Sequence, residues 1–150
     1  MNFEYYEKGK GENLLFLGGA GSTVDINRPF LDGLSKYYHV YFFNYPGFKG
    51  TDKFTSGHTL DCYLDAIDEF TAFKNLTNYH LAGVSLGGYL ATHYAKKNPK
   101  TVQSLILFSP LTRTASRSFT VNLAKIVWSD FQMISRTKKA LTKNVLPFRF

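Results

Sequence analysis

Two glycines flank a serine at Gly83-Val84-Ser85-Leu86-Gly87, where an apolar run from Tyr79 to Val84 leads directly in and a helix-period stretch from Leu86 to Lys97 leads directly out. A chain that passes from a buried strand to a helix within one residue has few folds open to it. The turn is sharp and strains its central residue, so the positions two residues either side must lack side chains if strand and helix are to approach. The start of the helix places partial positive charge beside Ser85 and directs the Leu86 N–H toward any oxyanion that develops there. The competing reading is a tight glycine-rich turn of the kind found in any α/β domain.

The rest of the first 110 residues alternates short apolar runs with helix-period segments, which predicts an α/β fold with a mostly parallel sheet flanked by helices. Glu4 to Glu7 reads as a short aromatic strand, and Leu14–Leu17 is apolar throughout, as a buried central strand should be. A helix is expected over Asn27 to Lys36, with Phe30, Leu31 and Leu34 on one face and Pro29 in its first turn, followed by a strand over Val40 to Phe43. Thr59 can cap a helix from Leu60 to Phe73, whose Leu60, Leu64, Ile67 and Phe70 form the apolar face. Asp61, Asp65, Asp68 and Glu69 form its other face, which reads as solvated rather than as a cation site. The last strand of this region is expected over Val102 to Phe108. With 150 residues, 44% of them hydrophobic, the chain has enough apolar surface for one globular core.

Charge divides the chain where hydropathy does not. Residues 1–110 balance acids against bases, whereas 111–150 carry Arg113, Arg117, Lys125, Arg136, Lys138, Lys139, Lys143 and Arg149 against Asp130 alone, so the whole net charge of +7 lies there. Two regions are therefore expected, a core over 1–110 and a basic, helix-compatible segment over 111–150 that begins a cap or forms a tail. Its bases are interleaved with Phe119, Trp128, Phe131 and Phe148, a composition suited to an anionic lipid surface. No nucleic-acid module or stacking platform accompanies it, so no nucleic-acid partner is expected. Cys62 is the one cysteine and the four histidines are dispersed, which gives no metal-binding spacing; no metal and no cofactor are expected. The start of the chain lacks a signal-peptide apolar region and no run of 18 uncharged apolar residues occurs, so the expected compartment is the cytoplasm.

Gly18-Gly19-Ala20-Gly21 follows the first long buried strand, and its small residues let the backbone approach a substrate. A phosphate-cradling loop would need a Gly-Lys-Ser/Thr ending or a G-x-G-x-x-G in register with the helix, and neither is present. Four stretches in order resemble the amino-terminal part of α/β-hydrolase-fold proteins of the esterase, lipase and peptidase type. They are Leu14-Leu-Phe-Leu-Gly-Gly-Ala-Gly21, Tyr45-Pro-Gly-Phe-Lys-Gly-Thr51, Leu81-Ala-Gly-Val-Ser-Leu-Gly-Gly88, and Asn98-Pro-Lys-Thr-Val-Gln-Ser-Leu-Ile-Leu-Phe-Ser-Pro110. The resemblance implies a serine hydrolase of a small-molecule acyl substrate, an ester, thioester or amide. It implies Ser85 as nucleophile, the Ala20 and Leu86 amides as oxyanion hole, and Gly18, Gly19, Gly83 and Gly87 as supporting glycines.

Two departures accompany it. Where many family members carry His-Gly after the first long strand, this chain reads Gly18-Gly19, which leaves a backbone donor role intact. The family also places its acid and its histidine after later strands, beyond the stretch that matches here. His39, His58, His80 and His93 all precede residue 110 and read as packing or surface histidines, with His58 the first to examine; Asp130 is the one acid after Ser85. The expected activity is therefore impaired, and the rival expectation is a non-catalytic or vestigial binding protein that keeps the pocket loop. The strand at 102–108 is expected at the sheet edge, with self-association through its unpaired backbone.

Overall fold

The computed structural model describes residues 1–55 and 57–111. The expectations for the basic segment, including its cap or tail character and Asp130, lie outside the described residues apart from Leu111. Five strands and three helices follow in the order β1 (Tyr5–Lys8), β2 (Asn13–Leu17), α1 (Val24–Leu34), β3 (His39–Phe43), α2 (Leu60–Phe73), β4 (Tyr79–Val84), α3 (Leu86–Lys97) and β5 (Val102–Phe108). The strands form one sheet in the order β1-β3-β2-β4-β5. β1 runs antiparallel to β3 and the remaining pairs are parallel.

Alternation along β2 separates two cores. Leu15 and Leu17 join Phe43, Leu64, Ile67, Phe70, Leu81, Leu86 and Leu90 on the face covered by α2 and α3. Leu14 and Phe16 join Val24, Leu31, Val40, Phe42 and Ala82 on the face covered by α1. β2 is thus buried on both sides, which is why it carries no polar residue after Asn13. On the first face the Phe3, Phe43 and Phe70 rings pack at centroid distances of 4.5–5.4 Å.

α2, β4, α3 and β5 occupy the expected residues. Thr59 caps α2 as expected, its Oγ1 accepting from the Cys62 N–H at 3.2 Å. α1 differs. It begins at Val24, three residues before the expected start, and Pro29 lies in its interior instead of its first turn. The Thr23 side chain makes no capping bond. Instead the Val24 N–H donates to Oδ1 of the buried Asn44 at 2.7 Å, a cap supplied from beyond β3. The Asn44 amide in turn donates to the Lys49 carbonyl at 2.8 Å, tying the next loop to the same side chain. Leu31 is fully buried on this helix, but Phe30, expected beside it, is 46% exposed, with its ring 5.2 Å from Phe16.

The acidic face of α2 is also less uniform than its pattern. Asp61 and Asp65 are exposed, whereas Asp68 accepts from the Tyr94 hydroxyl at 2.8 Å and faces the Lys97 ammonium at 3.6 Å. Among the described residues β5 is the outer strand opposite β1, with Leu105, Ile106, Leu107 and Phe108 exposed. No helix among the described residues is long and apolar enough to cross a membrane.

Removing the Asn44 side chain strands two backbone groups, whereas removing the Thr59 hydroxyl strands one at a more exposed helix end. Asn44→Ala is expected to lower unfolding free energy by about 1–3 kcal/mol per group left unpaired, and Thr59→Ala by about 1 kcal/mol. Urea denaturation ranks the two, and an Asn44→Ala midpoint equal to that of the wild type would contradict the distant cap.

Candidate active site

Ser85 occupies the single-residue turn between β4 and α3 with φ 52° and ψ −116°, a left-handed conformation that ordinary residues avoid. Three backbone hydrogen bonds hold it there. Its N–H donates to the Phe108 carbonyl at 3.1 Å, and its own carbonyl accepts from Tyr89 at 3.1 Å and Leu111 at 3.0 Å. The turn is therefore fastened both to its own helix and to the end of β5.

Close backbone approach explains the flanking glycines. A Cβ on Gly83 would stand 2.3 Å from the Gly87 carbonyl oxygen, and one on Gly87 would stand 2.1 Å from the Leu17 carbonyl oxygen. Either contact is far inside van der Waals separation, so α3 can start against the end of β2 only if both positions are bare. Gly18 is likewise confined, between the Ser22 side chain and the Phe42 ring. Gly19 is different: a Cβ there would meet the Ser85 Cβ at 3.5 Å, ordinary contact distance. Its position confirms that the loop after β2 lies against Ser85, but sterics alone do not demand glycine.

The loop is held from below by Tyr45, whose hydroxyl donates to the Gly18 carbonyl at 2.8 Å in a buried position. Burial, aided by neighbouring Tyr63, pushes the Tyr45 hydroxyl well above its ordinary range, so it remains a donor across physiological pH. A second bond, Ser22 N–H to the Gly19 carbonyl at 3.1 Å, closes the turn around Ala20. Ala20 is buried, and among the described residues its amide donates to no acceptor. Leu86 is the first residue of α3, so its N–H is among those left without an intrahelical acceptor. No acidic residue occupies the first turn of α3, and Lys96 and Lys97 sit in its last turn, an arrangement that leaves the positive end of the helix unquenched at Ser85.

The Ser85 side chain forms no capping bond to its helix. Each histidine is engaged elsewhere. His39 lies 3.2 Å from both the Tyr41 hydroxyl and Glu7. His58, in the exposed loop before α2, lies 3.2 Å from the Tyr63 hydroxyl and packs its ring on Phe54. His80 contacts Ser104 and Glu12, and His93 lies along α3 with its ring 4.5 Å from that of Tyr89. None of these contacts brings a base to Ser85 among the described residues. The local patterns at Ser85 and the small-residue loop carry no sign of the supports Tyr45, Phe108 and Leu111. Tyr45 lies within a matching stretch, yet its bond to Gly18 depends on how β3 sits beside β2, which no local pattern encodes.

The model of the alpha/beta hydrolase fold family matches residues 12–146. The chain belongs to the alpha/beta hydrolase fold family. It is 36% identical over 101 residues to the Caenorhabditis elegans abhydrolase domain-containing protein abhd-5.2, a match covering 65% of this chain and 23% of that protein. It is 31% identical over 134 residues to putative esterase/lipase 2 of Mycoplasma genitalium, covering 87% of this chain and 48% of that protein. Among solved structures, a bacterial membrane phospholipase A superposes with a TM-score of 0.68 at 30% identity, over 76% of this chain and 38% of the other. An esterase from Thermogutta terrifontis superposes with a TM-score of 0.70 at 22% identity, over 77% and 43%, a likeness of fold. The chain spans less than half the length of these curated relatives.

The two glycine environments make a direct contrast in this alpha/beta-hydrolase-fold chain. Gly87→Ala is expected to cost about 3 kcal/mol, the upper part of the usual overpacking range, and Gly19→Ala to change stability by no more than about 1 kcal/mol. Equal thermal and urea midpoints for the two variants would contradict the packing described at the end of β2.

Proposed function

We propose that the chain is a serine hydrolase, or the part of one that carries the nucleophile, acting on a carboxylic ester, thioester or amide. The observation that carries this reading is the left-handed Ser85 at a glycine-flanked strand-to-helix turn, with Gly19 so placed that a Cβ on it would meet the Ser85 Cβ at 3.5 Å. In this reading the turn is a nucleophile elbow and Ser85 Oγ attacks the acyl carbon. The Leu86 and Ala20 amides form the oxyanion hole, two fixed donors directed at the negative charge that develops on the acyl oxygen. The dipole of α3 adds to that stabilisation.

Several relatives are named for acyl chemistry, among them Lipase 3 of Moraxella and a 1-acylglycerol-3-phosphate O-acyltransferase of Arabidopsis thaliana. Those names support an acyl or lipid-derived substrate for this chain. A second reading, a binding protein without turnover, rests on the histidine contacts, none of which is with Ser85 among the described residues. Without a base the serine hydroxyl stays protonated and is a weak nucleophile. Oxyanion stabilisation and positioning still leave roughly 10³–10⁴-fold acceleration in dismantled triads.

Attack and deacylation make different demands, so they separate the readings. A fluorophosphonate is expected to label Ser85 slowly, as located by peptide mapping, and Ser85→Ala is expected to remove the label from that peptide. Steady-state hydrolysis of an activated ester by this chain should be feeble. Fast multiple turnover abolished by Ser85→Ala would mean that a base reaches Ser85, with His58 and His93 the first to replace. A folded chain that takes no label at Ser85 would support the binding reading.

A further inference from the structure

A serine–histidine contact lies at the end of the sheet away from Ser85. Ser85 follows the C-terminal end of β4, whereas His80 is near the N-terminal end of that strand, beside Ser104 of β5 and close to Glu12, which immediately precedes β2. Parallel pairing places His80 opposite Ser104 on one side and opposite Leu14 on the other. His80 Nδ1 lies 2.8 Å from Ser104 Oγ, and its Nε2 lies 3.3 Å from a Glu12 carboxylate oxygen.

The order of these three groups selects between the two neutral tautomers of His80. A carboxylate can only accept, so in the neutral ring the Glu12 contact favours the hydrogen on Nε2, the tautomer that presents the Nδ1 lone pair to the Ser104 hydroxyl. The ring is held in place by more than this pair of bonds. Its side chain is 19% exposed, the Tyr38 ring stands edge-on at 6.0 Å, and the Glu12 backbone is fixed by the His39 N–H donating to its carbonyl at 2.9 Å. Ser104 is exposed, so a reagent can reach it from solvent. A serine with its proton directed at a histidine lone pair, and that histidine oriented by a carboxylate, has the parts of an activated nucleophile.

We propose that Ser104 is an acyl-accepting hydroxyl, separate from Ser85, with His80 as general base and Glu12 as positioning residue, and that it takes one acyl group from an activated donor of the aryl ester class. Ser104 Oγ forms a bond to the ester carbonyl carbon while its proton passes to His80 Nδ1. The bond from that carbon to the aryloxide oxygen breaks, and the aryloxide leaves with the electron pair. It takes the proton back from His80, which restores the neutral ring and leaves an acyl-serine.

The test uses the full chain carrying Ser85→Ala, so that success or failure at Ser104 is independent of the reading of Ser85. After incubation with p-nitrophenyl acetate, peptide mapping is expected to find acetyl on Ser104 at a rate above that of the other surface serines. His80→Gln should slow that step by roughly 100-fold, the lower end of what a positioned base contributes. Glu12→Gln, at an exposed position that packing does not constrain, should slow it as well. It should also lower the share of the Nε2–H tautomer in the two-bond 15N–1H spectrum of His80, a signal that a purely structural role for Glu12 would leave unmoved. Acetylation of Ser104 no faster than that of other surface serines, or a rate unchanged by both substitutions, would overturn the proposal.

Discussion

The contact between the start of α3 and the end of β2 governs the rest of the arrangement. The backbone of Gly87 lies beneath the Leu17 and Gly18 carbonyls, closer than any side chain permits. Because α3 begins so near the sheet, β4 must turn within one residue, and Ser85 takes the positive φ that this turn requires. The same approach carries the loop after β2 to the Ser85 Cβ. Its energetic support comes from elsewhere: Leu86, Leu90 and Ala91 are buried against β2 and β4, so apolar burial along α3 offsets a strain of the order of 1–3 kcal/mol at one residue.

Most of the fold was legible because the relevant signals were local. Leu60–Phe73, Tyr79–Val84, Leu86–Lys97 and Val102–Phe108 are bounded by caps, glycines and apolar periods that lie within a few residues of each end. α1 departs from its expected span for the converse reason. Its first N–H is satisfied by Asn44, twenty positions away, so Pro29 is a misleading mark of its first turn. Asp68 likewise departs from its solvated neighbours, because helix spacing shows which residues share a face but not that Tyr94 reaches one of them from α3.

The site divides in the same way. The strand-to-helix turn around Ser85 and the small-residue loop at Gly18–Gly21 could be read from the chain because each is a short, contiguous pattern. Tyr45 beneath Gly18, and Phe108 and Leu111 on the Ser85 backbone, became visible only with the strand order in hand. The His80, Ser104 and Glu12 cluster is the extreme case: its members come from three segments joined by parallel register. Membership in the alpha/beta hydrolase fold family directs attention to the C-terminal ends of the strands, while this cluster lies at the opposite ends.

Close glycine packing holds Ser85 in its left-handed conformation, and the proposed oxyanion hole requires that it also align the Ala20 and Leu86 amides on one point in front of Ser85. A crystal structure of the chain phosphonylated at Ser85 tests that alignment most directly. The phosphonyl oxygen is expected about 2.7–3.1 Å from both the Ala20 and Leu86 nitrogens, with Ser85 φ still positive. An oxygen directed away from either amide, or a Ser85 relaxed to negative φ, would contradict it.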